Sequence, residues 1–183
     1  RARAKRLCTC SAALTLSLDA DAREVAVSYA IDNRAKDHRL RLLFRTGLEG
    51  DDSYALAPFD LVRRVRGADY EPGKRVADQP FCGFVGLHGQ GRTVGIWAGG
   101  IQAAGLHEYE HMARPGGQLA VTLVRANQYI SLTNGFENVS EDWTIPENQC
   151  LRTLSGELRL CFAPGGPAAL AAALLNRQAA PCC

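Results

Sequence analysis

Apolar and polar residues alternate along most of this 183-residue chain, and a period of two marks half-buried β-strands. In Ala13-Leu14-Thr15-Leu16-Ser17-Leu18 the alternation puts Leu14, Leu16 and Leu18 on one face. Further on it does the same with Val25, Val27, Tyr29 and Ile31. Asp19-Ala20-Asp21-Ala22 lies between as a short polar turn, so the two runs predict a hairpin. Further strands are predicted over residues 39–44, 59–63, 81–87, 93–97, 119–124 and 156–162.

Turn residues separate these runs: Asp32-Asn33 and Lys36-Asp37, then His88-Gly89-Gln90-Gly91, then Pro115-Gly116-Gly117. Residues 46–58, with Gly47, Gly50 and Asp51-Asp52-Ser53, read as a loop. Residues 64–79 read as a long exposed loop around Pro72-Gly73, of a length that in compact domains often carries function. Residues 137–145 form another loop, ending at Pro146. A helix is predicted over 166–178, which is Ala-rich with Leu170, Leu174 and Leu175 after the breaker Pro164-Gly165-Gly166. About eight to ten short strands with turn signals between them predict an all-β fold, an antiparallel β-sandwich with a short C-terminal helix. The length fits one domain over 1–183, with 1–10 frayed.

Composition changes this picture little. Residues are 46% hydrophobic and 22% charged, and the net charge is +2, too even to indicate nucleic acid or an anionic membrane as partner. Four of the positive charges sit in Arg1-Ala2-Arg3-Ala4-Lys5-Arg6; a nucleic-acid arm or transit-peptide remnant competes here with a solvated start, or a cut inside a longer chain, which the absence of Met favours. No run approaches the ~18 apolar residues of a membrane span, and none near the start resembles a signal peptide. Cys82, Cys150 and Cys161 lie in apolar strand-like context and read as buried thiols of a reducing, cytoplasmic compartment. Cys8-Thr9-Cys10 with Cys182-Cys183 would offer four thiolates if the termini met, but the spacing is not that of a zinc site, and no metal is assigned to the chain.

The motifs of catalysis are missing. There is no phosphate loop before a helix, no Gly-x-Ser-x-Gly and no His-Glu-x-x-His. His107 and His111 flank Glu108 and Glu110; on a helix the two histidines would share a face and could hold a metal. In a strand, His107, Tyr109 and His111 share one face, and Glu108 and Glu110 the other, roughly 7 Å apart. That separation suits a glycosidase carboxylate pair, although two glutamates on a solvated strand face is the plainer reading. Trp97, after Val94-Gly95-Ile96, reads as core; Trp143, in the loop Ser140-Glu141-Asp142-Trp143-Thr144, could stack on a sugar ring. Asn138-Val139-Ser140 matches the glycosylation sequon, relevant only to a secreted chain.

A series of stretches then stands in a telling order. His38-Arg39-Leu40-Arg41-Leu42-Leu43-Phe44-Arg45-Thr46 is followed by Ala57-Pro58-Phe59-Asp60-Leu61-Val62-Arg63-Arg64, then by Gln79-Pro80-Phe81-Cys82-Gly83-Phe84 and Val94-Gly95-Ile96-Trp97. Gly105-Leu106-His107-Glu108-Tyr109-Glu110, Thr122-Leu123-Val124-Arg125 and Ile145-Pro146-Glu147-Asn148-Gln149-Cys150-Leu151 come after. The ordered set, over roughly residues 10–163, resembles the C-terminal β-domain of glycoside hydrolase family 38 α-mannosidases. It departs from the family pattern at Arg63-Arg64-Val65, where Glu-Arg-Pro is expected, and at Arg45 and His107, where prolines are expected.

The resemblance implies a supersandwich-like, galactose-mutarotase-like sandwich that packs on an N-terminal catalytic barrel of the same polypeptide. It implies retaining hydrolysis of α-mannosides by the intact enzyme, with zinc, nucleophile and general acid held by that barrel. No catalytic residue is then expected in these 183 residues, and the chain alone is expected to be inactive. Two other readings remain: a free-standing carbohydrate-binding module using Trp143 and Tyr109, and a stand-alone hydrolase using Glu108 and Glu110.

Overall fold

The computed structural model describes residues 7–49, 52–64, 79–98, 109–114, 116–127 and 145–179, without the side chains of 109–114 and 177–179. The described residues form eleven strands, one 3-10 helix and one α-helix. The strands are β1 (Ser11–Ser17), β2 (Glu24–Asp32), β3 (His38–Arg45), β4 (Ser53–Leu56), β5 (Leu61–Arg64), β6 (Gln79–Phe81), β7 (Phe84–Gly89), β8 (Arg92–Trp97), β9 (Tyr109–Arg114), β10 (Gln118–Ala126) and β11 (Thr153–Pro164). Helix α1 is Pro167–Ala179, and the 3-10 helix is Pro146–Gln149.

Seven strands make one antiparallel sheet in the order β1-β2-β11-β8-β7-β4-β5, and four make a second in the order β3-β10-β9-β6. The alternation of the sequence sets which residues meet between them. In the larger sheet Val27 stands beside Leu158, Tyr29 beside Gly156, and Val85 beside Ile96. In the smaller, Phe44 stands beside Leu119 and Leu42 beside Val121. These apolar faces close on one another as the main core, with Val27, Ile31, Val85, Ile96, Leu119, Val121 and Leu158 all buried. The sandwich predicted from the pattern is therefore the fold observed.

A second core lies on the opposite face of the larger sheet. There α1 lays Leu170, Ala171 and Leu174 over Phe84, Trp97 and Cys161. Spacings of three and four residues place the helix residues on one stripe, and Pro167 opens the helix where a missing N–H costs nothing. Leu175 is exposed, because it lies about 100° further round the helix than Leu174. The lead-in is fixed by two bonds: Gly165 N donates to Gly91 O at 2.8 Å and Thr93 Oγ1 donates to Gly165 O at 2.8 Å. Phe84 fills the space over Gly86 and Gly95, and a Cβ on Gly95 would overlap its ring.

Several expectations are corrected. The run 81–87 is two strands, since the chain leaves the smaller sheet at Phe81, turns at Gly83 with φ +78 and enters the larger sheet at Phe84. Residues 46–58 contain strand β4, whose inward residues Ser53 and Ala55 are too small to mark it in the pattern. The strand expected over 59–63 begins at Leu61, and Phe59 is 101% exposed in the preceding turn, closed by Ala57 N donating to Asp60 O. Cys161 is buried as expected, but Cys82 and Cys150 are only half-buried; Cys150 is in no strand and ends the 3-10 helix in the left-handed conformation. The hairpin turn narrows to Gln90-Gly91, both with positive φ, as a right-twisted two-residue hairpin requires. Leu14 and Leu16 do share the face of Tyr29 and Val27, yet they are exposed.

Candidate functional site

Of the four residues singled out for contact with a sugar, Trp143 and Glu108 lie outside the described residues, as do His107, the Asn138 sequon and the loop over 65–78. Tyr109 and Glu110 fall in β9, so the backbone from 109 onward is a strand and not the metal-binding helix turn. This strand is internal to the smaller sheet. Tyr109 stands opposite Phe81 of β6, Glu110 opposite Pro80, and His111 between Gln79 and Val121.

The most elaborate polar arrangement among the described residues joins the β2–β3 turn to the 3-10 helix. Asn33 is buried, and its Nδ2 donates to Gln149 O and Cys150 O, both at 3.0 Å. Gln149, also buried, donates from Nε2 to Asp37 Oδ1 at 2.7 Å and accepts from Asp37 N at 2.9 Å. Asn33 N donates to Arg152 O at 3.1 Å, and Ala35 N donates to Asn33 Oδ1 at 3.3 Å. These bonds hold the backbone that begins two residues after Trp143. In the sequence pattern Asn33 is an ordinary turn residue and Gln149 stands beside Cys150 in apolar context; no local signal reveals that the two side chains meet.

A groove missed by the sequence reading opens at the rim of the sandwich. It has a volume of about 420 Å3 and is lined by Thr46, Arg92, Thr93, Val94, Phe162, Ala163 and Pro164. Thr93 Oγ1 is engaged with Gly165 O, and Thr46 Oγ1 donates to Gly117 O at 2.7 Å. Among the described residues its lining includes Arg92 and the half-exposed Phe162 but no carboxylate.

Ion pairs are also present among the described residues. Glu24 accepts from Arg159 beside Cys161, and Asp52 accepts from Arg63. The hydrogen bond from Arg159 to Glu24, and that from Arg63 to Asp52, raise the guanidinium pKa values above their ordinary range. Burial of Tyr29 raises its phenol. Among the described residues no three His, Cys, Asp or Glu side chains gather as a metal site. Cys8 Sγ donates to Arg34 O and Cys10 Sγ to Asn33 Oδ1, while Cys182 and Cys183 lie outside the described residues.

The likeness of this fold to known proteins is specific. No protein-family model matches the chain. A putative mannosylglycerate hydrolase of Halalkalibacterium halodurans is 31% identical over 135 residues, covering 74% of this chain and 13% of that protein. An α-mannosidase from Enterococcus faecalis superposes over 92% of this chain and 17% of its own, with TM-score 0.70 and 25% identity. The chain is a β-rich domain of glycoside hydrolase family 38. A second family 38 structure, also from Enterococcus faecalis, covers 90% of this chain and 17% of its own, at TM-score 0.63 and 25% identity. The chain thus spans less than a fifth of the length of these family 38 relatives.

Proposed function

We propose that this family 38 domain is the C-terminal accessory β-domain of an enzyme that hydrolyses α-mannosides with retention. In this reading it packs against an N-terminal catalytic barrel of the same polypeptide, and that barrel holds the nucleophile, the general acid and zinc. The single observation carrying the reading is the superposition of nearly the whole chain on a small part of an α-mannosidase. The name of the bacterial relative is consistent with it, since mannosylglycerate is itself a mannoside. The β-domain supplies support and positioning, and Trp143, Glu108, Tyr109 and Glu110 are the residues proposed to reach substrate. A cytoplasmic location is supported by the described cysteines, which stand as thiols. No described helix is long and apolar enough to cross a membrane.

The test is turnover of an aryl α-mannoside by the full-length polypeptide, followed by proton NMR of the first-formed sugar. The reading expects an α-anomer as first product, loss of activity on chelation and recovery with zinc. A first-formed β-anomer, or turnover of other glycosides but no α-mannoside, would refute it.

A further inference from the structure

Soluble sheets guard their edges, because an open edge strand presents unpaired N–H and C=O groups to any other strand. Three of the four edges formed by the described strands carry such guards. β5 ends in Arg63-Arg64, β3 carries Arg39, Arg41 and Arg45 and faces a bulge in β10, and β6 is three residues long with Pro80 at its centre. The fourth edge, β1, has the sequence Ser-Ala-Ala-Leu-Thr-Leu-Ser and carries no charge, no proline and no bulge.

Its side chains add a second, independent sign. Leu14 is paired with Tyr29 and Leu16 with Val27, both of which are buried, so these leucines continue the core-facing surface of the larger sheet outward by one strand. Yet Leu14 is 50% exposed, Leu16 67%, and Leu18, next in the row, 65%. No described strand pairs with the outer side of β1. A row of leucines beside an unguarded edge is an aggregation hazard in a free domain. It is the expected state of a surface that the rest of a protein covers.

We propose that the open edge of β1 receives an extended segment from the part of the longer polypeptide outside residues 1–183. That segment pairs with the β1 backbone and lays apolar side chains at alternate positions over Leu14, Leu16 and Leu18. The occupant is assigned by length: relatives are several times longer than this chain and so contain the material to cover the edge. The inference rests on the reading of the chain as part of a family 38 enzyme, and it adds which face of the domain is joined to the remainder.

The experiment uses the full-length polypeptide, with amide hydrogen exchange read across residues 11–17 at several protein concentrations. The expected result is protection of successive amides, including the alternate ones that point away from β2, by at least about tenfold over an open edge and independent of concentration. Fast exchange of those alternate amides would overturn the proposal, and protection lost on dilution would overturn it in favour of a second copy. A Leu16→photo-leucine variant identifies the occupant. Cross-linking to a peptide from outside residues 1–183 supports the proposal; cross-linking to a peptide within 1–183 contradicts it. Mannosidase turnover is measured on the same sample. Turnover with an open edge sinks this inference alone, whereas a covered edge without turnover supports it and counts against the proposed activity.

Discussion

Asn33 and Gln149, 116 residues apart in sequence, are joined by a buried 3.0 Å hydrogen bond from the asparagine amide to the glutamine carbonyl. The same amide nitrogen donates to Cys150 O, and the Gln149 side chain answers by clasping Asp37. Removing the Asn33 amide takes from the buried Gln149 carbonyl its donor, at a cost of about 1–3 kcal/mol, while Cys150 O keeps the bond from Arg152 N at 2.7 Å. Asn33→Ala is therefore expected to lower unfolding free energy by about 1–3 kcal/mol, read as a fall in the urea midpoint with an unchanged slope. Arg34→Ala, which breaks only the exposed ion pair with Asp32, should cost less than about 1 kcal/mol. Equal losses in the two variants would contradict the buried clamp.

The helix-covered face of the larger sheet gives a second test. Phe84 packs where Gly95 has no side chain, and a methyl there would overlap the ring. Gly95→Ala should destabilise by about 1–3 kcal/mol through overpacking, visible as a lower melting temperature. Gly91→Ala, with open space around it but a φ of +70, tests backbone strain in place of crowding. A Gly95→Ala protein as stable as the parent would mean that Phe84 is packed elsewhere.

Tyr29 supplies the pH dependence. Burial raises its pKa in the folded state, so folding favours the neutral phenol. Its contribution is fully present below the unfolded value of about 10 and is lost as pH rises through the higher folded value. Stability followed by denaturation should therefore fall above about pH 10, and Tyr29→Phe should remove that part of the fall. An unchanged alkaline profile in the variant would place the effect on another group.

Trp143 is the sequence's best candidate for contact with sugar. In the full-length enzyme Trp143→Ala should raise KM for an aryl α-mannoside about two- to tenfold, the worth of one aromatic contact, with kcat little altered. A change confined to kcat, or none, would remove it from the substrate pocket.

Much of the fold is legible in the sequence because burial on one face writes itself as alternation. The β1–β2 hairpin, β10, β11 and α1 follow from that pattern alone. Strand β4 escaped because Ser53 and Ala55 fill inward positions without looking apolar. The break between β6 and β7 escaped because both halves are apolar and only Gly83 marks the change of sheet. Exposure of Leu14 and Leu16 was illegible, since alternation reports which side a residue takes and not what covers it. The Asn33–Gln149 clamp is a long-range meeting of two polar side chains with no local signature. The family, by contrast, was legible from the order of short motifs, while Trp143 and Glu108 lie outside the described residues.

In the function proposed above, these residues support an α-mannosidase whose chemistry is performed by the rest of the polypeptide. The direct measurement is aryl α-mannoside turnover by two samples side by side: the full-length polypeptide, and pure residues 1–183 whose near-ultraviolet dichroism confirms a packed Trp97. The account predicts zinc-dependent turnover by the first and none by the second. Zinc-dependent turnover by residues 1–183 alone would contradict it.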